Sequence, residues 1–281
     1  MNLCLYDDRL MPLEEGALPF TDLLIQRGIG CFEAFICPDK RPLAWDAHWA
    51  RLGRSAQRLH IDCPFTERQM ARWVQQGLDA TDCPSPLVRY YLTAGDGPRE
   101  GRYRDPRLFF LFLDHEDYPQ STYDQGMKLY TLKAERFWPL AKTTTYSVAF
   151  VAMLGRETDS EVLYTPSGEV TESHSSNFFG VLKDRLITAP LDRVLQGTTR
   201  EIALTLAAEL GLTVEERCLK TDELAQLDEA FVASTSKLFM PVTAIDDTPV
   251  GDGKRGPITS RLLDAYRGNL HRFTTDLKSR F

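Results

Sequence analysis

Segments with helical periodicity and segments with strand composition alternate in both halves of this chain, and that alternation constrains the fold more than any other feature. In the first half, "RGIGCFEAFICPDKRPL" predicts a strand, a turn at Pro38 and Asp39, and a return. "WDAHWARLGRSAQRLHI" then predicts a helix with Asp46 as its candidate N-cap. Leu52, Ala56 and Leu59 fall on its apolar side, while His48, Arg51 and Ser55, at i, i+3 and i+7, share a different face. "FTERQMARWVQQGLDA" predicts a second helix, with Thr66 and Gln69 as a capping box and Met70, Trp73, Val74 and Leu78 as a core stripe. "PLVRYYLTAG" and "RLFFLFLD" read as strands around a loop rich in Gly and Arg.

The segment "HEDYPQSTYDQG" is polar and has no regular period, so it reads as a linker. Beyond it, "MKLYTL", "TYSVAFV", "SEVLYT", "EVTESHSSNFFGVL", "RLITAP" and "DEAFVAST" read as short strands, with "PSGE" as a turn. "GTTREIALTLAAELG" is the clearest helix, with Ile202, Leu206 and Leu210 on one stripe and Gly211 as its stop, and "PITSRLLDAYRGNLHRF" predicts the last helix. The expectation is an α+β protein of two domains, residues 1–114 and 126–281, joined by a linker at 115–125.

With 281 residues, 43% hydrophobic and 26% charged, the chain is long enough to bury a sizeable core. Its 33 basic and 40 acidic residues leave a net charge of −7, and no basic cluster offsets it locally. Nucleic acid is therefore not an expected partner. The leading "MNLCLYDDRLMPLEEG" lacks the pattern of a signal or transit peptide, and no uncharged apolar run is long enough to span a bilayer. Cysteines 4, 31, 37, 63, 83 and 218 form no C-x-x-C pair and lie far from most of the histidines, so neither a metal site nor a disulfide framework is expected. A reducing cytoplasm is the expected compartment.

Four features carry possible chemistry, and each has a plain alternative. Lys142, in "LAKTTTYSV", reads either as a solvated lysine at a strand edge or as a buried amine used as a nucleophile. Glu172, in "TESHSSNFF", reads as a turn residue or as a buried acid holding a proton on a ring nitrogen. In "LQGTTREIAL", Gly197 permits close approach to a ligand, and Thr198 and Thr199 open a helix whose free N–H groups suit a phosphate or a simple cap. In "VASTSKLFMPV", Ser234 and Thr235 end a strand with hydroxyls beside Lys237. A lysine, a phosphate cup and an acid for a pyridine nitrogen are the parts that run pyridoxal phosphate as an electron sink. Arg51 is the candidate cation to close that cup.

The order of these blocks resembles the class IV (fold type IV) pyridoxal-phosphate aminotransferases, the group of D-amino-acid and branched-chain aminotransferases and aminodeoxychorismate lyase. The resemblance runs from "RGIGCFEAF" and "HWARLGRSAQRL" through "KTTTY", "GEVTESHSSNFF" and "LQGTTREIAL" to "ASTSKLFMPV" and "VGDGKRGPIT". It implies two α/β domains, the second a pseudo-barrel, with pyridoxal 5′-phosphate between them and a homodimer as the assembly. It makes Lys142 the Schiff-base lysine and proton carrier, Glu172 the partner of the pyridine nitrogen, and Tyr146 the residue that reaches the cofactor's phenolic oxygen. Arg51, Thr198, Thr199, Ser234 and Thr235 fall where the family holds phosphate. Thr145 stands where the family often has asparagine, and Ser173 and His174 follow the glutamate where a small residue is common.

Substrate choice rests on fewer residues. "GPREGRY" keeps Arg99 of the arginine–histidine pair found in D-amino-acid enzymes, but has Gly101 in place of the histidine. Arg27, Arg89 and Lys237 are further cations at positions that the resemblance places around the substrate, and His174 either faces it or caps a turn. Such cations suit a carboxylate, which favours a D-amino-acid donor and a 2-oxo acid such as 2-oxoglutarate. A branched-chain L-amino-acid aminotransferase and aminodeoxychorismate lyase are the alternatives within the family, and a non-catalytic binding module is the alternative outside it.

Overall fold

A computed structural model describes residues 2–281. It is α+β, as expected, and divides into two compact units. The first comprises residues up to Glu116 together with Ala141–Thr145 and His271–Phe281; the second comprises Asp117–Leu140 and Tyr146–Leu270.

The first unit contains β1 (Leu3–Tyr6), β2 (Arg9–Pro12), α1 (Leu23–Arg27), β3 (Gly30–Ile36), α2 (Trp45–Arg58), α3 (Glu67–Ala80), β4 (Leu87–Thr93) and β5 (Leu108–Leu113). The strands form a five-stranded antiparallel sheet in the order β2-β1-β5-β4-β3. Alternation along β5 buries Phe110 and Phe112 toward Trp45, Leu52, Met70, Val74 and Leu78 of the two long helices. Each fully buried Leu or Phe contributes about 1.5–3 kcal/mol, so this face fixes the helices on the sheet. The Thr66–Gln69 capping box is present at the start of α3. Gly77 brings α3 down onto β5, for a Cβ there would lie 2.0 Å from the Phe112 ring.

Asp46 is not the N-cap of α2. The cap position is Ala44, and Asp46 pairs with Arg280 at 2.9 Å. Nor does the chain return as a strand after Pro38; it makes a 3-10 turn at Pro38–Lys40, and β3 pairs with β4 instead.

The second unit contains α4 (Gln120–Gln125), β6 (Met127–Leu132), α5 (Ser147–Ala152), β7 (Ser160–Tyr164), β8 (Glu169–Val170), β9 (Asn177–Leu182) and β10 (Arg185–Thr188). It continues with α6 (Thr198–Glu209), β11 (Thr213–Glu216), β12 (Leu219–Lys220), β13 (Glu229–Ser234), β14 (Leu238–Ile245), β15 (Thr248–Pro249) and α7 (Pro257–Gly268). Its mixed sheet runs β11-β10-β9-β13-β14-β6-β7, with β15 on β14. The strands β8 and β12 form a separate pair.

The units are drawn differently from the expected 1–114, 115–125 and 126–281. The linker segment carries α4, whose Tyr123 is buried, and from Asp117 onward it belongs to the second unit. Ala141–Thr145 instead packs in the first unit, along the free edge of β3: Phe32 N–H donates to the Lys142 carbonyl and Thr144 N–H to the Gly30 carbonyl. The last residues also join the first unit, where Leu277 is part of the core. "TYSVAFV" forms the helix α5 rather than a strand. A short run of consecutive apolar residues carries no period that separates the two states, and only Ala149 of this helix is buried.

Candidate functional site

In the first unit, the face of α2 bearing His48, Arg51 and Ser55 is buried, although its residues are polar. The reason is Glu33, a fully buried carboxylate on β3. Arg51 donates to it from Nε at 2.8 Å and from Nη2 at 2.6 Å, and His48 Nδ1 lies 2.7 Å away. Burial alone would raise the Glu33 carboxyl, but Arg51 and His48 outweigh it and hold it at about 2. Burial also lowers the His48 imidazole, against the pull of Glu33. An ionised carboxylate only accepts, so the His48 hydrogen sits on Nδ1 and is donated to Glu33. One turn further on, Ser55 Oγ accepts from the Lys142 backbone N–H at 3.0 Å. The Lys142 ammonium nitrogen lies 4.7 Å from the centroid of the Phe32 ring. Lys142 is half-buried, and β3 and α2 both grip its backbone.

Arg27, Arg89 and Arg99 belong to the same unit, and all three are exposed. Arg27 ends α1 and donates to the Gln26 carbonyl, Arg89 stands on β4, and Arg99 pairs with Asp105 in the following loop. They lie on three separate elements, and no common partner draws them together among the described residues.

In the second unit, Glu172 is buried at 2% exposure. It accepts from Arg136 Nη1 at 3.3 Å, Asn177 Nδ2 at 3.1 Å and the Leu195 backbone N–H at 3.2 Å. Arg136 is buried too; burial works against its charge, and Tyr146 and Glu172 more than compensate. Arg136 Nη2 also reaches the Tyr146 hydroxyl at 3.3 Å, which joins Tyr146 to the Glu172 network. Asn177 donates in addition to the Leu195 carbonyl at 2.9 Å, so one amide fixes both the acid and the loop that leads into α6.

That helix begins at Thr198 and Thr199, both buried, with Gly197 as an N-cap that offers no side-chain oxygen. A Cβ on Gly197 would lie 1.9 Å from Asn177 Oδ1. Ala233, the penultimate residue of β13, pairs with Asn177, which brings the strand end bearing Ser234 and Thr235 beside the same asparagine. The buried Ser234 Oγ has no hydrogen-bond partner. A hydroxyl left unsatisfied in a buried place, near a helix start lacking a side-chain cap, fits an anion such as a phosphate ester.

Lys237 and His174 meet around another acid. Glu161, on β7, is buried and accepts from Lys237 Nζ at 2.7 Å and from the hydroxyls of Ser173 and Ser175. Burial opposes its ionisation, but Lys237, His174 and Ser173 hold it at about 2. His174 Nδ1 lies 4.0 Å from Glu161, is buried and makes no hydrogen bond, and burial lowers its pKa. Sequence reasoning did not find Glu33, Glu161, Asn177 or Arg136. The first two had a signal, an acid inside an otherwise apolar strand ("CFEAF", "SEVLY"); Arg136, in the loop "AERFWPL", had none.

Comparison with known proteins places this geometry. Residues 30–245 match the family described as amino-transferase class IV, and the chain belongs to that family. The family uses pyridoxal 5′-phosphate, which is the cofactor here, and membership in it supports a pyridoxal-phosphate-dependent transaminase. Among characterised relatives, the D-alanine aminotransferase of Bacillus licheniformis is 27% identical over 274 residues, covering 95% of this chain and 96% of that one. The branched-chain-amino-acid aminotransferase of Pseudomonas aeruginosa is 25% identical over 278 residues, covering 93% and 90%. The fold matches that of the solved branched-chain amino acid aminotransferase of Escherichia coli, with a TM-score of 0.86 and 22% identity, covering 98% of this chain and 96% of that one. Among the described residues no helix is long and apolar enough to cross a membrane, and no group of His, Cys, Asp and Glu is arranged to hold a metal ion.

Proposed function

We propose that this protein moves the amino group of a D-amino acid to a 2-oxo acid such as 2-oxoglutarate, with Lys142 as the catalytic residue. The bound cofactor supplies an electron sink for charge developing at the substrate α-carbon. Lys142 acts as the nucleophile toward it and as the base that carries the α-proton. Glu172 keeps the ring nitrogen protonated, and the observation that carries the reading is its burial among three converging donors, which fixes the carboxylate before any ligand arrives. Ser234, Thr235 and the N–H groups of Thr198 and Thr199 would receive the phosphate, and the guanidinium of Arg51, its charge matched and its plane set by Glu33, is the proposed further hydrogen-bond donor to it. Tyr146 donates to the phenolic oxygen.

Support for a D-amino acid comes from the likeness to the D-alanine aminotransferase over nearly the whole of both chains. Arg27, Arg89 and Arg99 are the proposed holders of substrate carboxylates, with His174 beside them in role. A branched-chain L-amino acid is the second reading, favoured by the charge of Lys237 being already matched by Glu161. The assembly is a homodimer, and the apolar side chains that α5 and the following turn leave exposed (Phe150, Val151 and Leu154) support it.

The test is a single-turnover experiment on the cofactor-loaded protein, with D-alanine, D-glutamate, L-leucine and L-glutamate added separately. Bleaching of the bound cofactor's visible absorbance by the D-acids alone is expected. Bleaching by the L-acids alone overturns the D-assignment. Borohydride is expected to fix the cofactor on the peptide containing Lys142, and the Lys142→Ala variant to give no such adduct.

A further inference from the structure

We propose that Glu161 and Lys237 form a buried ionic clamp that positions Glu172 and the Ser234–Thr235 strand end together, and that Lys237 is a positioning residue rather than a cation for the substrate. The proposal rests on the reading of Glu172 as the acid for the ring nitrogen. Its basis is connectivity. Glu172 opens a tight loop that ends at Asn177, with which it forms a bridge. Ser173 and Ser175 lie inside that loop and both donate their hydroxyls to Glu161. Glu161 stands on β7, alongside the loop, where Leu163 pairs with Ser173 and the His174 N–H reaches the Val162 carbonyl. Thus β7 holds the Glu172 loop by its backbone and, through one carboxylate, by two of its side chains.

Lys237 extends the hold to a second segment. It occupies the turn between β13 and β14, two residues after Thr235, and its ammonium reaches Glu161 at 2.7 Å and Ser175 Oγ at 3.2 Å. The Tyr123 hydroxyl donates to the Lys237 carbonyl at 3.3 Å, fixing the turn from the other side. The strand end with the unpartnered Ser234 hydroxyl and the loop with Glu172 therefore share one counter-ion pair. An ammonium bonded to a buried carboxylate and a serine has its charge and two of its three donors committed. Attraction of a substrate carboxylate would require that pair to break, at the cost of leaving Glu161 buried and unmatched.

The experiment combines Lys237→Met, Glu161→Gln and the double variant on the cofactor-loaded protein. In denaturant unfolding, each single substitution lowers the folding constant, and the double variant loses less than their product, with a coupling of about tenfold. In steady-state kinetics, Lys237→Met lowers kcat by a similar factor for glutamate and for alanine while leaving each KM unchanged, and Lys237→Arg restores kcat. Two results overturn the proposal: additive effects on unfolding, or a KM raised for glutamate alone. If wild-type protein gives no borohydride adduct, the reading of Glu172 fails, and the unfolding cycle still decides whether the clamp exists.

Discussion

Replacing Glu33 with glutamine leaves the shape of β3 intact and removes the charge that Arg51 and His48 share. The carboxyl is held at about 2 against an ordinary 4.5. At 1.36 kcal/mol per pKa unit, this corresponds to about 3 kcal/mol of stability at pH 7. The carboxylate is fully buried, so solvent does not discount the figure, and it agrees with the roughly 3–5 kcal/mol lost when one partner of a buried pair is removed. In thermal unfolding, the Glu33→Gln variant is expected to melt about 6–12 °C below wild type at pH 7. The pH dependence follows from the direction of the shift. A depressed acid stabilises fully above its unfolded value, and the benefit fades as pH falls toward the folded one. The gap between wild type and variant should be flat from pH 8 to 5 and shrink to about 2 kcal/mol near pH 3.5. Circular dichroism melts across that range measure it. An unchanged melting temperature at pH 7, or a gap that widens on acidification, would refute the reasoning.

Gly77→Ala sets a helix-propensity gain of about 1 kcal/mol against a methyl carbon forced to within 2.0 Å of the Phe112 ring. Overpacking is expected to win, lowering stability by about 1–3 kcal/mol in urea titrations, and a stabilised variant would show that α3 can lift from the sheet. Val151→Asp puts a charge on the exposed apolar face of α5, where Val151 is 67% exposed. Gel filtration with light scattering is expected to find wild type as a dimer and the variant shifted toward monomer, and an unchanged dimer would place the interface elsewhere.

The fold class was legible because amphipathic stripes such as Met70, Val74 and Leu78, and the alternation in β5, report directly which side faces a core. The fates of "TYSVAFV" and Ala141–Thr145 were not legible. The first is a short apolar run without a period to separate helix from strand, and the second is decided by the edge of β3 that it packs against, which local composition does not encode. Among the site residues, Lys142 and Glu172 stood out through motif order. The residues that hold them (Ser55, Arg136, Asn177) sit at ordinary positions for polar side chains, and only three-dimensional contact reveals their partners. His48 and Arg51 illustrate the limit most clearly. Helical spacing showed that they share a face, but a polar face reads as solvated, and the buried carboxylate that makes it an interior one lies fifteen residues or more away in sequence.

The first unit closes only with residues 271–281, since the Ala44 N–H donates to the Phe273 carbonyl, the Thr275 N–H to the Pro42 carbonyl, and Leu277 fills the core beside α3. On the ribosome, those residues emerge long after β5, by a delay of about ten seconds or more at ordinary elongation rates. The second unit uses no residue beyond Leu270. The helices made earliest therefore lack part of their core, and stay partly uncovered, until the residues that seal them have been made.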